Sequence, residues 1–280
     1  LLYRHTSNAK AVKMNFRYIY RLYSKTAQNS LNLNRKENKM KKQIAAFFDI
    51  DGTIYRDSLV TELYKKLLKY EIIPQEEYIK QVKEPLTAWK NRQVSYEDYL
   101  EALTENFSTT IKGLTKAQID FVTDQVMKLS SDKVYTYTRD KINKHKEQGH
   151  MVIFISGSPD FIVSRMGEKY NADLAIGSGY EFKKDLFTGK IRPMWTSRAK
   201  NKKINELVEE YNIDLENSFA YGDTNGDTLM LSKVGNPIAI NPNKELLANI
   251  MKLKDNSHYK IIVERKDSIY NLTPDMLKDI

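Results

Sequence analysis

The chain of 280 residues has no cysteine. A disulfide framework, a thiolate metal site and a cysteine nucleophile are thereby excluded, and the composition fits a reducing, cytoplasmic setting. Long apolar runs are missing too. The longest, 44–48 and 151–155, cover five residues each, whereas a membrane-spanning helix needs about 20, so no membrane partner is expected. Histidine is scarce. His5, His145, His150 and His258 are scattered without ligand spacing, which leaves no histidine-based metal site to propose. No repeat or low-complexity tract breaks 40–280. With 41% apolar and 29% charged residues, the chain reads as globular, one large domain or two small ones.

The net charge of +9 is confined to one end. Residues 1–39 hold nine of the 45 Lys/Arg and one of the 36 Asp/Glu, a net of +8, and the rest of the chain is close to neutral. A basic isoelectric point is therefore no sign that the folded part meets nucleic acid or a membrane surface. The tail itself reads in three ways: a basic binding arm, a transit-type segment, or translated leader that is not native protein. The last is preferred. The chain opens on Leu1, and the stretch Lys36-Glu37-Asn38-Lys39-Met40 can be back-translated into a ribosome-binding sequence ahead of a start codon at Met40.

From 42 to 48 the chain is short, apolar and uninterrupted, then stops at Asp49, as a buried parallel strand does. Helical spacing follows over 59–70, 96–107 and 115–128, with Thr115 and Gln118 set as a capping box. Pro74 and Pro85 punctuate the stretch between the first two. After 138 the pattern alternates: helix 138–148 closed by Gly149, strand 151–155, helix 159–170, strand 173–177, a hairpin over 180–192, helix 198–211, strand 218–221, helix 227–234, strand 237–240 and helix 244–253. Such alternation implies βαβ units and a parallel sheet. The helical run after 54 interrupts the first unit and should form a separate cap.

Ligands of an open α/β sheet sit beyond the carboxyl ends of its strands. Three strand ends carry polar side chains: Asp49-Ile50-Asp51-Gly52-Thr53, Ser156-Gly157-Ser158, and Gly222-Asp223-Thr224-Asn225-Gly226-Asp227. Up to four carboxylates at one rim are costly unless a cation neutralises them. Asp49 and Asp51, two apart, share a face, and Gly52 permits a tight bend. One carboxylate could attack phosphorus while the other handles protons. Attack by an anion on an anionic centre calls for a hard, oxygen-preferring ion such as Mg²⁺. A DxD pair alone is equally a solvated turn; the three segments in this chain order are far more specific.

The stretches AFFDIDGTI (46–54), VIFISGSPDF (152–161), KNKKINELVEEYNI (200–213), SFAYGDTNGDTLML (218–231) and NPIAINPNKEL (236–246) resemble the haloacid dehalogenase-like (HAD) phosphohydrolases, subfamily IB, the branch near phosphoserine phosphatase. The resemblance covers about 44–250. It implies an α/β fold: a Rossmann-like parallel sheet core (40–54 and 138–280) with a helical C1-type cap (55–137). It implies an enzyme, a Mg²⁺-dependent phosphatase that hydrolyses a small phosphomonoester through an aspartyl-phosphate.

Carried over by residue, the resemblance makes Asp49 the nucleophile and Asp51 the general acid/base. Ser156 would bind the transferring phosphoryl group, with Thr53 and Gly157 beside it on the substrate side. Mg²⁺ would be held by the Asp49 carboxylate, the Asp51 backbone carbonyl and Asp223, with Asp227 supporting that site. The motif lysine is Lys200, Lys202 or Lys203; Lys200 is preferred because Ile204 then takes the apolar core position four residues on. Arg56 and Asp57 are candidate substrate contacts, with a solvated loop as the alternative. Trp89, Trp195, Tyr135 and Tyr137 are read as packing.

A capped site favours a small phosphorylated metabolite over a macromolecule. Phosphoserine itself fits poorly. Phosphoserine phosphatases carry a Glu where this chain has Ser58, two glycines after the motif serine where this chain has Gly157-Ser158, and an Asn where this chain has Gly226. A phosphotransferase on the same site, phosphoserine phosphatase proper, and a basic-tail nucleic-acid or membrane binder with an idle core stay open as alternatives; a dehalogenase would not need Asp51. Oligomeric state is not legible. Deleting 1–39 removes no motif, so phosphomonoester turnover should change by less than about threefold; a larger loss would give the tail a role.

Overall fold

Strand β1 (Ala45–Phe48) has no exposed residue. Its side chains split by period two: Ala45 and Phe47 enter one apolar layer, Ala46 and Phe48 the other. A strand apolar on both faces belongs in the middle of a covered sheet. In the computed structural model, which describes residues 42–277 apart from the side chain of Glu97, that is where β1 lies. The tail 1–39 and Met40 fall outside the described residues.

The sheet continues with β2 (Met151–Pro159), β3 (Leu174–Lys183), β4 (Leu186–Arg192), β5 (Phe219–Gly222), β6 (Asn236–Ile240), β7 (Lys260–Arg265) and β8 (Ser268–Leu272). Their order is β4-β3-β2-β1-β5-β6-β7-β8. The run from β3 through β7 is parallel, and β4 and β8 return antiparallel at the two edges. The order reverses between β1 and β5. This is the switch point of a doubly wound sheet, and it gathers the loops after β1, β2 and β5 at one rim.

Six α-helices lie between β1 and β2: α1 (Leu59–Lys69), α2 (Gln75–Tyr78), α3 (Glu84–Lys90), α4 (Tyr96–Thr110), α5 (Lys116–Ser130) and α6 (Thr136–Glu147). Helices α7 (Asp160–Tyr170), α8 (Ser197–Tyr211), α9 (Thr228–Leu231) and α10 (Lys244–Met251) follow in the later crossovers. The expected capping box forms, with the Thr115 hydroxyl accepting from the Gln118 N–H at 3.2 Å. The helical cap is fastened at several places. Its two connecting segments pair, the Tyr135 N–H donating to Ile54 O (2.9 Å) and the Arg56 N–H to Lys133 O (2.8 Å). On its other side the β3–β4 hairpin reaches over. The Phe187 N–H donates to Leu114 O, and the Gly113 N–H to Phe187 O, both at 3.0 Å.

The structure corrects the sequence reading in four places. The stretch punctuated by Pro74 and Pro85 is helical from 75 to 90, with a π-turn, Ile79–Lys83, in its middle. Pro85 has no N–H to offer a preceding carbonyl, and the wider turn accommodates it; Gln81 O accepts instead from the Asn106 side-chain amide at 3.3 Å. Strand β2 runs past Ile155 to Pro159, with a register irregularity over that extension. The strand expected at 173–177 and the first arm of the hairpin are one strand, β3. Strands β7 and β8 lie beyond the last helix expected from the sequence. Their turn contains no glycine, Lys266 taking positive φ (56°) instead, and β8 is an exposed edge without an apolar face.

Under the sheet a buried polar string ends on a core strand. His145 is 3% exposed. Its Nε2 meets the Tyr221 hydroxyl at 2.8 Å and its Nδ1 meets His150 Nδ1 at 2.9 Å. Tyr221 in turn stacks on Phe48, centroids 4.2 Å apart. Burial, with His150, Lys141 and Lys144 nearby, pushes His145 down to about 4. An unfolded histidine titrates near 6.5. Between pH 6.5 and about 4 the unfolded chain therefore binds the proton and the folded one does not, and stability falls as pH drops, by up to about 1.4 kcal/mol per unit for this group. Followed by denaturant unfolding from pH 7 to 4.5, the stability of the wild type should fall relative to that of His145→Gln, groups common to both cancelling in the difference; a difference that does not change with pH would refute the assignment.

Candidate active site

The site is built from the three strand ends that the switch point brings together. Asp49 continues β1 by one residue, its N–H donating to Tyr221 O of β5 at 2.9 Å. The chain then bends at Gly52, whose φ is +79°. No other residue fits there: a Cβ would sit 2.0 Å from Asp223 Oδ2, and the backbone conformation itself favours glycine. Next in the chain, the Thr53 hydroxyl donates to Asp223 Oδ1 at 3.1 Å.

At the end of β5 the second pair of acids is arranged differently. Asp227 Oδ2 accepts from the N–H groups of Asp223 (3.1 Å) and Thr224 (3.2 Å), and its Oδ1 accepts from Lys200 Nζ at 2.6 Å. Asp227 is fully buried with both oxygens engaged. Lys200, in the first turn of α8 and 3% exposed, also reaches Asp49 Oδ1, at 2.5 Å. Of the three lysines left open by the sequence it is the one at the carboxylates. Lys203 pairs with Glu206 at 3.0 Å and Lys202 is exposed. Ile204 is buried, in the core position expected of it.

Asp51 is held by a third set of donors. Its Oδ1 accepts from the Leu59 N–H at the start of α1 (2.6 Å), and its Oδ2 from the hydroxyls of Ser156 (3.2 Å) and Ser158 (2.6 Å). Ser158, which the sequence places at this strand end without a role, is thereby a partner of Asp51. Its signal was the spacing: in a strand that continues to Pro159, residues 156 and 158 share a face.

Four buried or half-buried carboxylates surround one cation. Burial raises Asp49 to about 8, Lys200 offsetting part of the effect and Asp227 and Asp51 adding to it. Asp223 is raised well above the ordinary carboxylate value by burial and by Asp49 and Asp227, and Asp51 is raised by burial. For Lys200, burial pulls downward, but Asp227 and Asp49 outweigh it and the net shift is upward. Oxygens of Asp49, Asp223 and Asp227 lie within 4.8 Å of one another. Asp49 Oδ2 and Asp223 Oδ2 receive no donor from the described residues. An all-oxygen, over-charged cluster with two open oxygens, and with no Cβ at residue 52 to fill the space beside Asp223, fits a hard divalent cation.

Beside the carboxylates opens a cavity of about 750 Å³, bounded by 52–58, by cap residues 86–99 and by 241–245. Arg56, an exposed loop residue, lines it with its guanidinium engaged. Its guanidinium donates to Val134 O (2.8 Å) and to Glu264, and lies 5.0 Å from the centre of the Tyr135 ring. Glu264 sits on β7, which the sequence reading lacked. Thr53 is buried behind Asp223, off the cavity wall. Gly157 is off the wall too. Its carbonyl accepts from Ser178 (2.7 Å), and a Cβ there would meet Trp195. Trp195 is half-buried, its Cβ close to Gly157 and its carbonyl close to Gly226, whereas Trp89 both packs, on Tyr99, and lines the cavity, as does Tyr135.

Comparison with known proteins gives this arrangement a context. A family model for haloacid dehalogenase-like hydrolases matches residues 46–232. The inhibition of morphological differentiation protein of Streptomyces azureus is 26% identical over 212 residues, which span 75% of this chain and 76% of that protein. The phosphoserine phosphatase of Methanocaldococcus jannaschii is 24% identical over 204 residues, 71% of this chain and 86% of that one. Among solved structures, a Bordetella pertussis Tohama I protein of unknown function superposes with a TM-score of 0.63 at 16% identity, over 75% of this chain and 95% of that one. At that identity the superposition shows the fold.

The serine pair offers a direct test of the geometry. Ser158→Ala removes the shorter of the two hydroxyl bonds to Asp51. Hydrolytic turnover is expected to fall about tenfold, on the order of 1.4 kcal/mol, with the circular dichroism spectrum unchanged. Wild-type turnover would show that Ser156 and the Leu59 N–H hold Asp51 without help.

Proposed function

The chain belongs to the haloacid dehalogenase-like hydrolases, and from that premise we propose that it is a Mg²⁺-dependent phosphatase of a small phosphorylated metabolite, with Asp49 as the nucleophile. The observation that carries the reading is the state of Asp49: buried, one oxygen fixed on Lys200, the other without a protein donor, beside an Asp51 oriented by three donors.

On this reading Asp49 Oδ2 attacks phosphorus and a covalent aspartyl-phosphate forms as the ester P–O bond breaks. Asp51, raised by burial, gives its proton to the departing alkoxide. The same carboxylate then takes a proton from water, which adds to phosphorus and frees Asp49 and phosphate. Ser156 and Lys200 face the transferring group. In the resting site Asp227 and Asp49 favour the charged form of Lys200, which offsets phosphoryl charge.

Mg²⁺ would be held by Asp49 and Asp223, together with the Asp51 backbone carbonyl that the family resemblance adds. Asp227, whose two oxygens are already occupied, orients Asp223 and Lys200. Bound there, the ion neutralises the excess of carboxylates and polarises a phosphoryl oxygen.

Phosphoserine is not the favoured substrate. Ser58, where phosphoserine phosphatases carry a Glu, caps α1 by accepting from the Thr61 N–H. The next acid along, Glu62, is buried against Lys65, Ser130 and Lys133 and does not line the cavity. Phosphate release from a panel of small phosphomonoesters, with and without Mg²⁺, tests the reading. Asp49→Asn keeps the shape and should lose at least 10³-fold in turnover, and excess chelator should silence the wild type. Mg²⁺-dependent hydrolysis surviving in Asp49→Asn, or full activity in chelator, would overturn it.

A further inference from the structure

The cavity beside the carboxylates has a chemistry that the hydrolytic steps do not use. Its cap side is aromatic. Trp89 stacks on Tyr99 with centroids 5.6 Å apart and planes 13° from parallel, and Tyr96 lies against Trp89 at 4.9 Å. Trp89, Tyr96 and Tyr135 are only partly buried and all three line the space. The hydroxyls of Tyr96 and Tyr135 have no hydrogen-bond partner among the described residues.

The core side is rich in donors. Asn241 Oδ1 accepts from the Glu264 N–H (2.9 Å), and Asn243 Oδ1 accepts from the Leu246 N–H as the cap of α10 (2.8 Å). Each oxygen is spent, which leaves the two Nδ2 groups. Both are buried without a partner, on residues that line the cavity together with Asp223. A buried amide donor without an acceptor is a rarity that calls for an explanation, and a bound ligand is one. Arg92 and Lys244, also on the wall, form no ion pair among the described residues.

These features specify a ligand. An aromatic wall recognises the face of a ring. Amide nitrogens, each with its own oxygen already satisfied, need acceptor oxygens. A space of about 750 Å³ is in the range that encloses molecules much larger than an amino acid. We propose that this cavity is the leaving-group subsite and that it takes a ring-bearing, hydroxyl-rich alcohol, a nucleoside or a sugar, with its ring against Trp89 and Tyr96 and its oxygens on the amides of Asn241 and Asn243. This rests on the phosphatase reading above. The two buried side-chain groups left unpaired here are donors, whereas the acids Asp57, Asp98 and Glu245 on the same wall are at least partly exposed.

The experiment compares kcat/KM for two short esters, phosphoserine and glycerol 3-phosphate, with that for uridine 5′-monophosphate, adenosine 5′-monophosphate and glucose 6-phosphate. At least one ring-bearing ester should exceed both short ones by tenfold or more, and which it is separates the nucleoside from the sugar. Asn243→Asp keeps the oxygen that caps α10 and removes the donor; Trp89→Ala removes the wall. Each should reduce the ratio of ring-bearing to short-ester kcat/KM at least fivefold, chiefly through KM. Short esters turned over as well as the ring-bearing ones, or losses equal for both kinds in Asn243→Asp and Trp89→Ala, would overturn the subsite and leave the phosphatase reading intact. Hydrolysis of none of the five would overturn both.

Discussion

The buried ammonium of Lys200, bonded at once to Asp49 and Asp227, is the interaction on which the site depends. It joins the end of β1 to the loop after β5 through the first turn of α8, three elements far apart in sequence. Taking a lysine and its carboxylates out of water is costly, and removing one member of such a group typically destabilises by about 3–5 kcal/mol, because a charge is left uncompensated. Even with Lys200 charged, the rim has more acids than bases. The polar environment of Asp223 and Asp227 follows from that excess: Thr53 donates to one, backbone N–H groups to the other. So does the absence of side chains at Gly52 and Gly222, where a Cβ would collide with Asp223 and Asp227.

What could be read from the sequence tracks how local the signal is. Buried parallel strands such as β1 and β5 announce themselves as apolar runs that stop at a carboxylate. The switch-point geometry then brings Asp49, Asp51, Ser156 and Asp223 to one rim without further information. Lys200 was legible only by combining its spacing from Ile204 with the family resemblance, since nothing in the composition of 200–203 separates three lysines. Ser158 and Glu264 were not legible. The first needed β2 to extend beyond its apolar run, and the second lies on β7, whose hairpin with β8 closes on a positive-φ lysine in place of the glycine that would have marked it. The helix at 75–90 was hidden by Pro85, because the π-turn that tolerates a proline there leaves no pattern of its own.

The division between legible and illegible residues is also a division of labour. On the proposed reading, the groups near phosphorus other than Lys200 sit at or just beyond strand ends, where the sheet holds them and where a short motif can encode both the residue and its position. On the same reading, the groups near the leaving alcohol come from the 86–99 segment of the cap, which lies outside every family-like stretch, and from the 241–245 loop, which falls in the last of them. The stretches at the strand ends therefore report the chemistry of such a site, and its substrate is left to the cap.

Cap and core must keep a constant separation for those two scattered segments to form one binding surface. The connecting segments alone would leave the cap on a single two-stranded hinge at 54–56 and 133–135. The β3–β4 hairpin supplies a second attachment: the Lys116 N–H donates to Asp185 O at 2.7 Å, and Phe187 exchanges two backbone hydrogen bonds with the turn before α5. Phe107 and Phe161 both pack edge-on against Tyr180 of β3, so the attachment is apolar as well as hydrogen-bonded. Arg165 of α7 adds a third, pairing with Asp120 (3.0 Å) and Asp124 (2.8 Å) of α5. Several attachments on different sides thus hold the Trp89–Tyr96 wall opposite the Asn241–Asn243 amides, and on the proposed reading selection among alcohols rests on how well a ligand fills the space between them.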